Sequence, residues 1–211
     1  MIRIAFCLAA ALLLLAIPAF AQVPVAAAPN ASYTQAASGM TFPPTVGQFR
    51  RVEVTRYARD GSDESAGYNR VVPHQEISAT IYVFPSPPIV SIASPQETIE
   101  IARSLLCAQQ YEAITGEIAA VHPDAVGRGE APARDYHGIP YPRMHSGLYA
   151  YHAPIFMGRS DVDLLSEAHV LCYVGGRWTV EYRIDYPSDY DANADVNALM
   201  SGLDLTIPAE H

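Results

Sequence analysis

The 211-residue chain contains no lysine, so all 13 of its basic residues are arginines. The 22 acidic residues outnumber them, the formal net charge is −9, and charged residues make up only 17% of the chain. With no basic excess to displace counterions from phosphates, the composition predicts neither a nucleic-acid partner nor binding to anionic lipid. Hydrophobic residues account for 50% of the chain, which excludes a disordered or low-complexity protein.

Motifs of the common enzyme classes are also missing. The segment Gly158-Arg159-Ser160-Asp161 lacks the second glycine of a serine hydrolase elbow, and no H-E-x-x-H, phosphate loop or dinucleotide fingerprint occurs. Cys107 and Cys172 lie too far apart for a C-x-x-C redox pair. These absences favour a protein that is not an enzyme, and no cofactor is predicted.

Only one long hydrophobic run occurs, at the N-terminus. Arg3 precedes an apolar stretch over 4–20, and Ala19-Phe20-Ala21 matches a signal-peptide cleavage site, so residues 1–21 are predicted to be removed before Gln22. The alternative is an uncleaved anchor, because the run is close to the length of about 17 residues that spans a bilayer. No second run reaches that length, so the prediction is a soluble, periplasmic or secreted protein with no membrane span after signal removal.

Cys107 and Cys172 remain after cleavage, an even number in an oxidising compartment. They can form a disulfide only if the helix that carries Cys107 covers the sheet face of Cys172, with Val170 and Val174 beneath it. Two buried free thiols are the alternative.

The cleaved chain is interpreted as a flexible linker over 22–41, which is rich in Ala, Pro and Ser, followed by a single domain over 42–211. Alternating hydrophobic patterns predict strands over 48–57, 67–72, 77–84 and 148–157, and a hairpin over 168–186 that turns at Gly175-Gly176. Val52 and Val54 are expected on one face of the first strand, and Tyr149, Tyr151, Ile155 and Met157 on one face of the fourth. In the hairpin, Tyr173 is expected opposite Trp178, and Leu171 opposite Val180. Its second strand is expected to have one apolar face, formed by Trp178, Val180, Tyr182 and Ile184, and one polar face, formed by Arg177, Thr179, Glu181, Arg183 and Asp185.

Two helices are predicted. The first has Ser94 as its N-cap, Pro95 at its first position and Glu97 at its third, and Gly116 and Pro123 bound its end. Its core-facing residues are expected to be Ile101, Ala102, Leu105, Leu106 and Ala113. The second helix is expected from about Asp191 to about Leu203. The fold class is therefore α+β, with an antiparallel β-sheet and two helices packed on it in a single domain.

The phrases GQFRRVEVTRYARDGSDESAGYN, ATIYVFPSP and GRWTVEYRIDYP resemble those of short exported bacterial proteins of unknown function. The order of elements over most of 42–205 also resembles the Mog1/PsbP-like fold, an antiparallel sheet flanked by helices. That resemblance implies a partner-binding or assembly role and transfers no catalytic motif.

Histidines stand two positions from carboxylates in three places, a spacing that a metal could use on a strand. These are His74-x-Glu76, His122-x-Asp124 and Asp135-x-His137. Because they lie beside proline or in Gly/Pro-rich stretches, surface-loop histidines are the preferred interpretation. A site at His145 and His152 is equally weak. His169 is expected to be a half-buried histidine bonded to a neighbour rather than a catalytic base.

Tyrosine is frequent, with 13 residues, and four of them cluster in the central part of the chain: Tyr136, Tyr141, Tyr149 and Tyr151. They are a candidate binding surface, since tyrosines offer a large contact area at a low entropic cost. The alternative is that they pack at the margin of the core.

Oxygen-bearing side chains alternate at Asp189, Asp191, Asn193 and Asp195, as at the start of an EF-hand loop. Ala194 and Met200 stand where that loop needs glycine and glutamate, so no metal site is predicted here. Asp189 or Asp191 is instead expected to cap the second helix.

The predicted function is a non-catalytic binding or envelope-assembly module whose partner is an unknown protein or envelope component. The alternative is a His/carboxylate-based hydrolase or a metal-dependent enzyme. A deep pocket that gathers His and Asp/Glu side chains would favour the enzyme, and a shallow tyrosine-rich patch with dispersed histidines would favour the binding module.

Overall fold

The computed structural model describes residues 22–89, 95–134, 136, 144–204 and 207. Four predicted features lie outside those residues: the signal peptide, the Ser94 cap, the Asp135/His137 pair and Tyr141. The described part contains eleven strands and two helices. They are β1 (Val23–Pro24), β2 (Tyr33–Thr34), β3 (Thr41–Phe42), β4 (Thr45–Val46), β5 (Phe49–Arg56), β6 (Glu64–Arg70), β7 (Ile77–Pro85), α1 (Gln96–Val121), β8 (Val126–Gly129), β9 (Met144–Phe156), β10 (Arg159–Val174), β11 (Trp178–Pro187) and α2 (Asn193–Gly202).

The main sheet is antiparallel throughout, with strand order β1-β5-β6-β7-β11-β10-β9-β8. The short strand β4 also pairs with β5, and β2 and β3 form a separate ribbon. The pairing of β7 with β11 joins two meanders that are far apart in the chain. This architecture confirms the α+β prediction in general, although strands dominate the fold.

The larger core lies between the sheet and α2. Strand β7 contributes Ile77, Ala79, Ile81 and Val83, all buried on this face as their alternation predicts. The hairpin strand β11 adds Trp178, Val180, Tyr182 and Ile184, also as predicted. The helix α2 covers this core on the side opposite the sheet, with Val196, Leu199 and Met200 buried in it.

The other face of the sheet is covered by α1, through a smaller core that contains Cys107, Ile114 and Ile118 against Ala168, Val170 and Cys172. Cys107 and Cys172 form a disulfide with their Cα atoms 5.8 Å apart, which confirms the predicted bridge. A disulfide indicates an oxidising environment, such as exported proteins meet. Among the described residues, no helix has the length and apolar character needed to cross a membrane.

The predicted core-facing side of α1 is correct only in part: Leu106 packs against the smaller core, but the side as a whole does not face the sheet. Ile101 is 57% exposed and Leu105 is 62% exposed, whereas the buried positions are Cys107, Ile114 and Ile118. The disulfide and these two isoleucines share one helical face and direct it to the sheet. The helix also continues past Gly116 to Val121 and ends before His122 and Pro123.

Two bulges correct the predicted strand registers. A shift between Arg51 and Glu53 leaves Val52 exposed while Val54 is buried, so the two valines do not share a face. In the hairpin, Leu171 lies opposite Val180 as predicted, but a second shift places Val174, and not Tyr173, opposite Trp178. For the same reason Val174 belongs to the larger core rather than to the face beneath α1.

The predicted face of β9 holds only in part. Tyr151 is buried and Tyr149 is partly buried, but Ile155 is exposed. The β9–β10 hairpin extends beyond β11, whose pairing with β10 reaches only Leu164 and Pro187. Ile155 therefore lies on a two-stranded projection, where it is 75% exposed.

Residues 22–41 pack on the domain, contrary to the linker prediction. Val23 and Pro24 pair with β5, and Gln35 and Met40 are fully buried. The Gln35 side-chain amide donates to the carbonyls of Gly61 and Val83, both at 3.1 Å. Composition alone does not predict that such a segment is packed. It is held by isolated buried side chains and by hydrogen bonds from a side-chain amide to backbone carbonyls, and these produce no periodic pattern of hydrophobic residues.

Candidate functional site

A groove of about 800 Å³ lies between the C-terminal half of α1 and the sheet. Its floor is formed by β7 and β11, which contribute Tyr82, Glu181, Arg183 and Asp185 among others. One wall is α1, with Glu117 at its centre. The opposite side contains residues just after β5 and just before β6, so the groove brings together parts of the chain that are distant in sequence.

The polar floor follows from the alternation of β11. Its even positions enter the larger core, so Thr179, Glu181, Arg183 and Asp185 face α1, as the predicted polar face of this strand requires. The register places Glu181 opposite Tyr82. The hydroxyl of Thr179 donates to the Gln110 side chain at 2.9 Å and so ties α1 to the floor at one end of the groove.

Arg183 is the cation at the centre of the groove. Its guanidinium donates to the Glu181 carboxylate, and to that of Glu117 at 2.9 Å. It also lies 5.1 Å from the centre of the Tyr82 ring. Burial alone would lower the pKa of Arg183, but the charge and hydrogen bond of Glu181 raise it, so Arg183 stays protonated.

Carboxylates are in excess over this cation. Glu117, Glu181, Asp185 and Asp63 all line the groove with Arg183. Burial raises the pKa of Glu181, and Arg183 offsets part of that shift. Burial likewise raises the pKa of Asp185, against the hydrogen bonds that it accepts from Ser166 and Tyr151. The groove therefore gathers four carboxyl groups around one guanidinium.

Asp63 differs from the other three carboxylates because it lacks a partner. It is partly buried, and no side chain among the described residues donates a hydrogen bond to its carboxylate or forms an ion pair with it. Burial, followed by the charges of Glu117 and Glu64, raises its pKa from 3.8 to about 6. Its neighbour Glu64 faces the other side of the sheet, where it pairs with Arg56 at 2.7 Å.

Aromatic rings line the groove and its margin. The rings of Tyr57 and Tyr82 lie 5.9 Å apart, beside Asp63. At the end of α1, His122 stacks on Tyr151 with ring centres 3.9 Å apart. The hydroxyl groups of Tyr111 and Tyr149 lie 3.4 Å from each other farther along the helix. The α1 face thus carries polar aromatic groups along its length.

The four tyrosines of the predicted cluster do not come together. Tyr149 and Tyr151 lie on the α1 face, whereas Tyr136 lies on the α2 face, where its hydroxyl is 2.9 Å from Nδ1 of His169. Tyr141 is outside the described residues. The sequence proximity of Tyr136 to the other two therefore does not persist in space, and a binding role for this set stays a prediction.

His169 is bonded to neighbours, as predicted, but it is fully buried. Its Nε2 donates to Glu167 at 2.8 Å, and Glu167 is also paired with Arg134. Tyr186 donates to the same carboxylate at 2.7 Å. This network lies inside the larger core and holds the loop that carries Arg134 against α2.

The remaining described histidines are dispersed. His74 is exposed, His145 stacks on Tyr111, and His152 bonds to Asp163 at 3.0 Å on the exposed projection. His122 is the one histidine that lines the groove. Within the described residues, no group of three His, Cys, Asp or Glu side chains is arranged to hold a metal ion.

The alternating oxygens at the start of α2 have protein partners. Asp191 accepts the backbone N–H of Asn193 at 3.1 Å, Asn193 accepts from Arg134, and Asp195 pairs with Arg70 at 3.3 Å. Three different donors thus use them. The N-cap of α2 is Ala192, without a side-chain cap bond, so the prediction that Asp189 or Asp191 caps this helix is wrong, although Asp191 accepts the first backbone N–H of the helix. Asp189 is exposed at the turn before the helix.

Asp63 and Glu117 do not stand out in the sequence. Asp63 lies in the polar turn just before β6, and Glu117 is one of several acidic residues of α1. The alternation of β11 was the only available signal, because it placed Glu181 and Asp185 together on the face that α1 covers.

Comparison with known proteins adds no family to this description. A scan against protein-family models and searches of curated proteins and of solved structures find no match to this chain.

Proposed function

We propose that the protein is an exported, non-catalytic binding module that takes a cationic group, a primary amine or a guanidinium, into the groove between α1 and the sheet. The observation that carries this proposal is Asp63, a partly buried carboxylate that lines the groove and has no partner among the described residues. A buried or partly buried carboxylate is normally paired, since an unpaired one loses hydration without compensation.

The surroundings of Asp63 favour a cation over other ligands. Glu117 and Glu64 raise its pKa by repulsion, and a cation would relieve that repulsion and be attracted by several carboxylates at once. Tyr57 and Tyr82 supply electron-rich ring faces next to it, which stabilise amines and guanidinium groups. Arg183 already uses Tyr82 in this way, so the same chemistry operates inside the groove.

A basic side chain of a partner protein is the ligand that suits this site best. The groove is open along the helix, and the exposed carboxylate of Glu117 can reach a residue carried on another chain. The disulfide supports an exported location for the encounter. The resemblance to the Mog1/PsbP-like fold supports a partner-binding or assembly role by analogy.

The proposal is tested with short acetylated and amidated peptides that contain one lysine or one arginine, against a peptide with norleucine in the same place. We expect the basic peptides to bind measurably by calorimetry and the norleucine peptide to bind at least 10-fold more weakly. Asp63→Asn should weaken basic-peptide binding about 10-fold, which corresponds to one lost charge-assisted contact. Asp161→Asn, an exposed carboxylate on the β9–β10 projection, is the matched control and should leave binding unchanged.

The pH dependence provides a second readout. Because the pKa of Asp63 is about 6, affinity for a basic peptide should fall as the pH is lowered through that value, and this fall should be absent in Asp63→Asn. Equal binding of the norleucine peptide, or unchanged binding by Asp63→Asn, would refute the proposal.

A His/carboxylate-based hydrolase is the second candidate. The same pKa of about 6 would let Asp63 act as a general acid near neutral pH, with Asp185 and Glu181 in the same groove as further carboxylates. This candidate predicts turnover of an ester or glycoside substrate that Asp63→Asn abolishes, whereas the binding module predicts none in either protein.

A further inference from the structure

A second cavity, of about 530 Å³, lies at the opposite end of α1 from the acidic groove. It is bounded by the segment Pro85–Ile89, by Arg103 of α1, and by the tip of the β10–β11 hairpin. We propose that this cavity binds a carboxylate carried on an apolar body. This site shares no lining residue with the groove between α1 and the sheet, and it does not depend on the function proposed for that groove.

The side chain of Arg103 has a hydrogen-bond donor that lacks an acceptor. Its Nη1 donates to Glu100 at 2.9 Å, and its guanidinium lies 5.3 Å from the centre of the Tyr173 ring. Its Nε is buried and has no hydrogen-bond acceptor among the described residues. Since buried polar groups of folded proteins are almost always satisfied, an N–H of a charged group that is left over at the edge of a cavity indicates a missing oxygen acceptor.

A second guanidinium strengthens the preference for an anion. Arg177 also lines the cavity, and its guanidinium lies 5.0 Å from the centre of the Trp178 ring. The carboxylate in the lining, Asp60, accepts hydrogen bonds from the backbone N–H and the hydroxyl of Ser62 within its own turn, at 3.0 and 2.7 Å. The lining thus holds two guanidinium groups, and the pairing of Arg103 with Glu100 uses its Nη1 and leaves its Nε without an acceptor.

The rest of the lining suits an apolar body. Pro85, Pro87 and Pro88 contribute ring carbons and no backbone N–H, and Trp178 and Ile89 add further apolar surface. A large hydrophilic anion such as inorganic phosphate would leave this surface uncovered. An aryl or alkyl monocarboxylate would place its oxygens at the arginines and its carbon skeleton on the prolines and the indole.

The floor of the cavity is held in place before any ligand arrives. Tyr173 adopts a left-handed backbone conformation, with φ of 59°, at the hairpin bulge. Its hydroxyl donates to the Pro87 carbonyl at 3.0 Å, and its backbone N–H donates to the Ser86 hydroxyl at 3.0 Å. Ser86 is bonded in turn to Thr179 at 2.8 Å. The ring on which Arg103 rests is therefore fixed from two sides, so little ordering remains for binding.

The experiment uses phenylacetate as the probe and phenylacetamide as its neutral match. Trp178 is the only tryptophan of the chain, so its fluorescence reports directly on this cavity. We expect a saturable change with phenylacetate and at least 10-fold weaker binding of phenylacetamide. Inorganic phosphate at the same concentration should compete only weakly, which separates a carboxylate site from a general anion site.

Variants of Arg103 test the assignment. Arg103→Gln should weaken phenylacetate binding at least 10-fold, and Arg103→Lys, which keeps the charge but lacks the Nε donor, should weaken it as well while preserving the fold. Arg159→Gln, a paired arginine on the β9–β10 projection, and Asp63→Asn, in the acidic groove, should bind phenylacetate like the unmodified protein. Equal affinity for the acid and the amide, or full binding by both Arg103 variants, would overturn the proposal.

Discussion

Cys107 of α1 and Cys172 of β10 are joined across the α1 face of the sheet, with their Cα atoms 5.8 Å apart. Arg103 lies one helical turn before Cys107, and Gln110, which bonds to the floor of the acidic groove, lies about one turn after it. The bridge therefore stands between the two candidate sites and holds the helix that both of them share.

The disulfide predicts a simple thiol count. Protein that consists of residues 22–211, unfolded without reductant, should contain no reactive thiol, because Cys107 and Cys172 are bonded to each other and Cys7 lies outside that range. Reduction should lower the free energy of unfolding by about 4 kcal/mol, since the bridge closes a long loop of the unfolded chain. Two thiols that titrate before reduction would contradict the bridge.

The ion pair between Arg134 and Glu167 predicts a large loss of stability on truncation. Both side chains are buried, with exposures of 1% and 0%, and the carboxylate also accepts from His169 and Tyr186. Glu167→Ala should lower the free energy of unfolding by about 3–5 kcal/mol, because it leaves the charge of Arg134 buried without its partner. Urea denaturation measures this loss.

The control is the pair of Arg159 with Glu76, where Arg159→Gln should cost less than Glu167→Ala, because Arg159 is 28% exposed and water can replace its guanidinium. Burial raises the pKa of Glu167, but hydrogen bonds from His169, Arg134 and Tyr186 lower it by more than burial raises it. The net shift of the pKa is therefore downward. Its contribution to stability is therefore present above the unfolded-state pKa and is lost as the pH falls through the folded-state pKa. A Glu167 variant as stable as the Arg159 variant would show that the buried network is not needed for the fold.

The raised pKa of Asp63 predicts a pH dependence of stability opposite to that of Glu167. Its pKa is raised to about 6, so the folded state binds the proton more tightly than the unfolded state, and stability falls as the pH rises from about 4 to above 6. Asp63→Asn should remove that fall and stabilise the protein at pH 7.5 by about 1–2 kcal/mol, after allowance for solvent screening of a partly buried group. At pH 4 the two proteins should have equal stability. Thermal melts at both pH values measure the difference, and a variant that is less stable at pH 7.5 would contradict this account.

Asp191 predicts a small effect that does not depend on calcium. Its carboxylate accepts the backbone N–H of Asn193, so Asp191→Ala should lower the free energy of unfolding by about 0.5–1 kcal/mol. Asp189→Ala, at an exposed position of the preceding turn, should have a smaller effect. A melting temperature that rises with millimolar calcium, and does not rise in Asp191→Ala, would instead identify a metal site.

The predicted cleavage of the signal peptide implies a defined mass for protein recovered outside the cytoplasm. Cleavage after Ala21 would leave Gln22 as the first residue, and the pairing of Val23 and Pro24 with β5 holds Gln22 at the acidic groove. Mass spectrometry of protein recovered outside the cytoplasm should give a chain over 22–211, and a chain that starts at Met1 would refute the cleavage.

Strands β7 and β11 show what could be predicted from sequence. Each is central, paired on both sides and covered on one face by the larger core, so burial imposes a period of two on Ile77 to Val83 and on Trp178 to Ile184. The second helix was predicted for a similar reason, since its apolar face packs on the same core. Local pattern carries this information because each face of these elements meets one kind of environment along its whole length.

The sequence by itself determined the α+β class, the central strands, the hairpin turn and the two cysteines available for a bridge. Only the tertiary structure decided which side of α1 faces the sheet, since the disulfide and Ile114 turn Ile101 and Leu105 to solvent. It also decided that Asp63, from a turn, lies with Glu117 of a helix and Glu181 of a distant strand in one groove. The physical reason is that a shifted pKa and an orphaned donor arise from burial beside groups far away in the chain, and no local pattern records such neighbours.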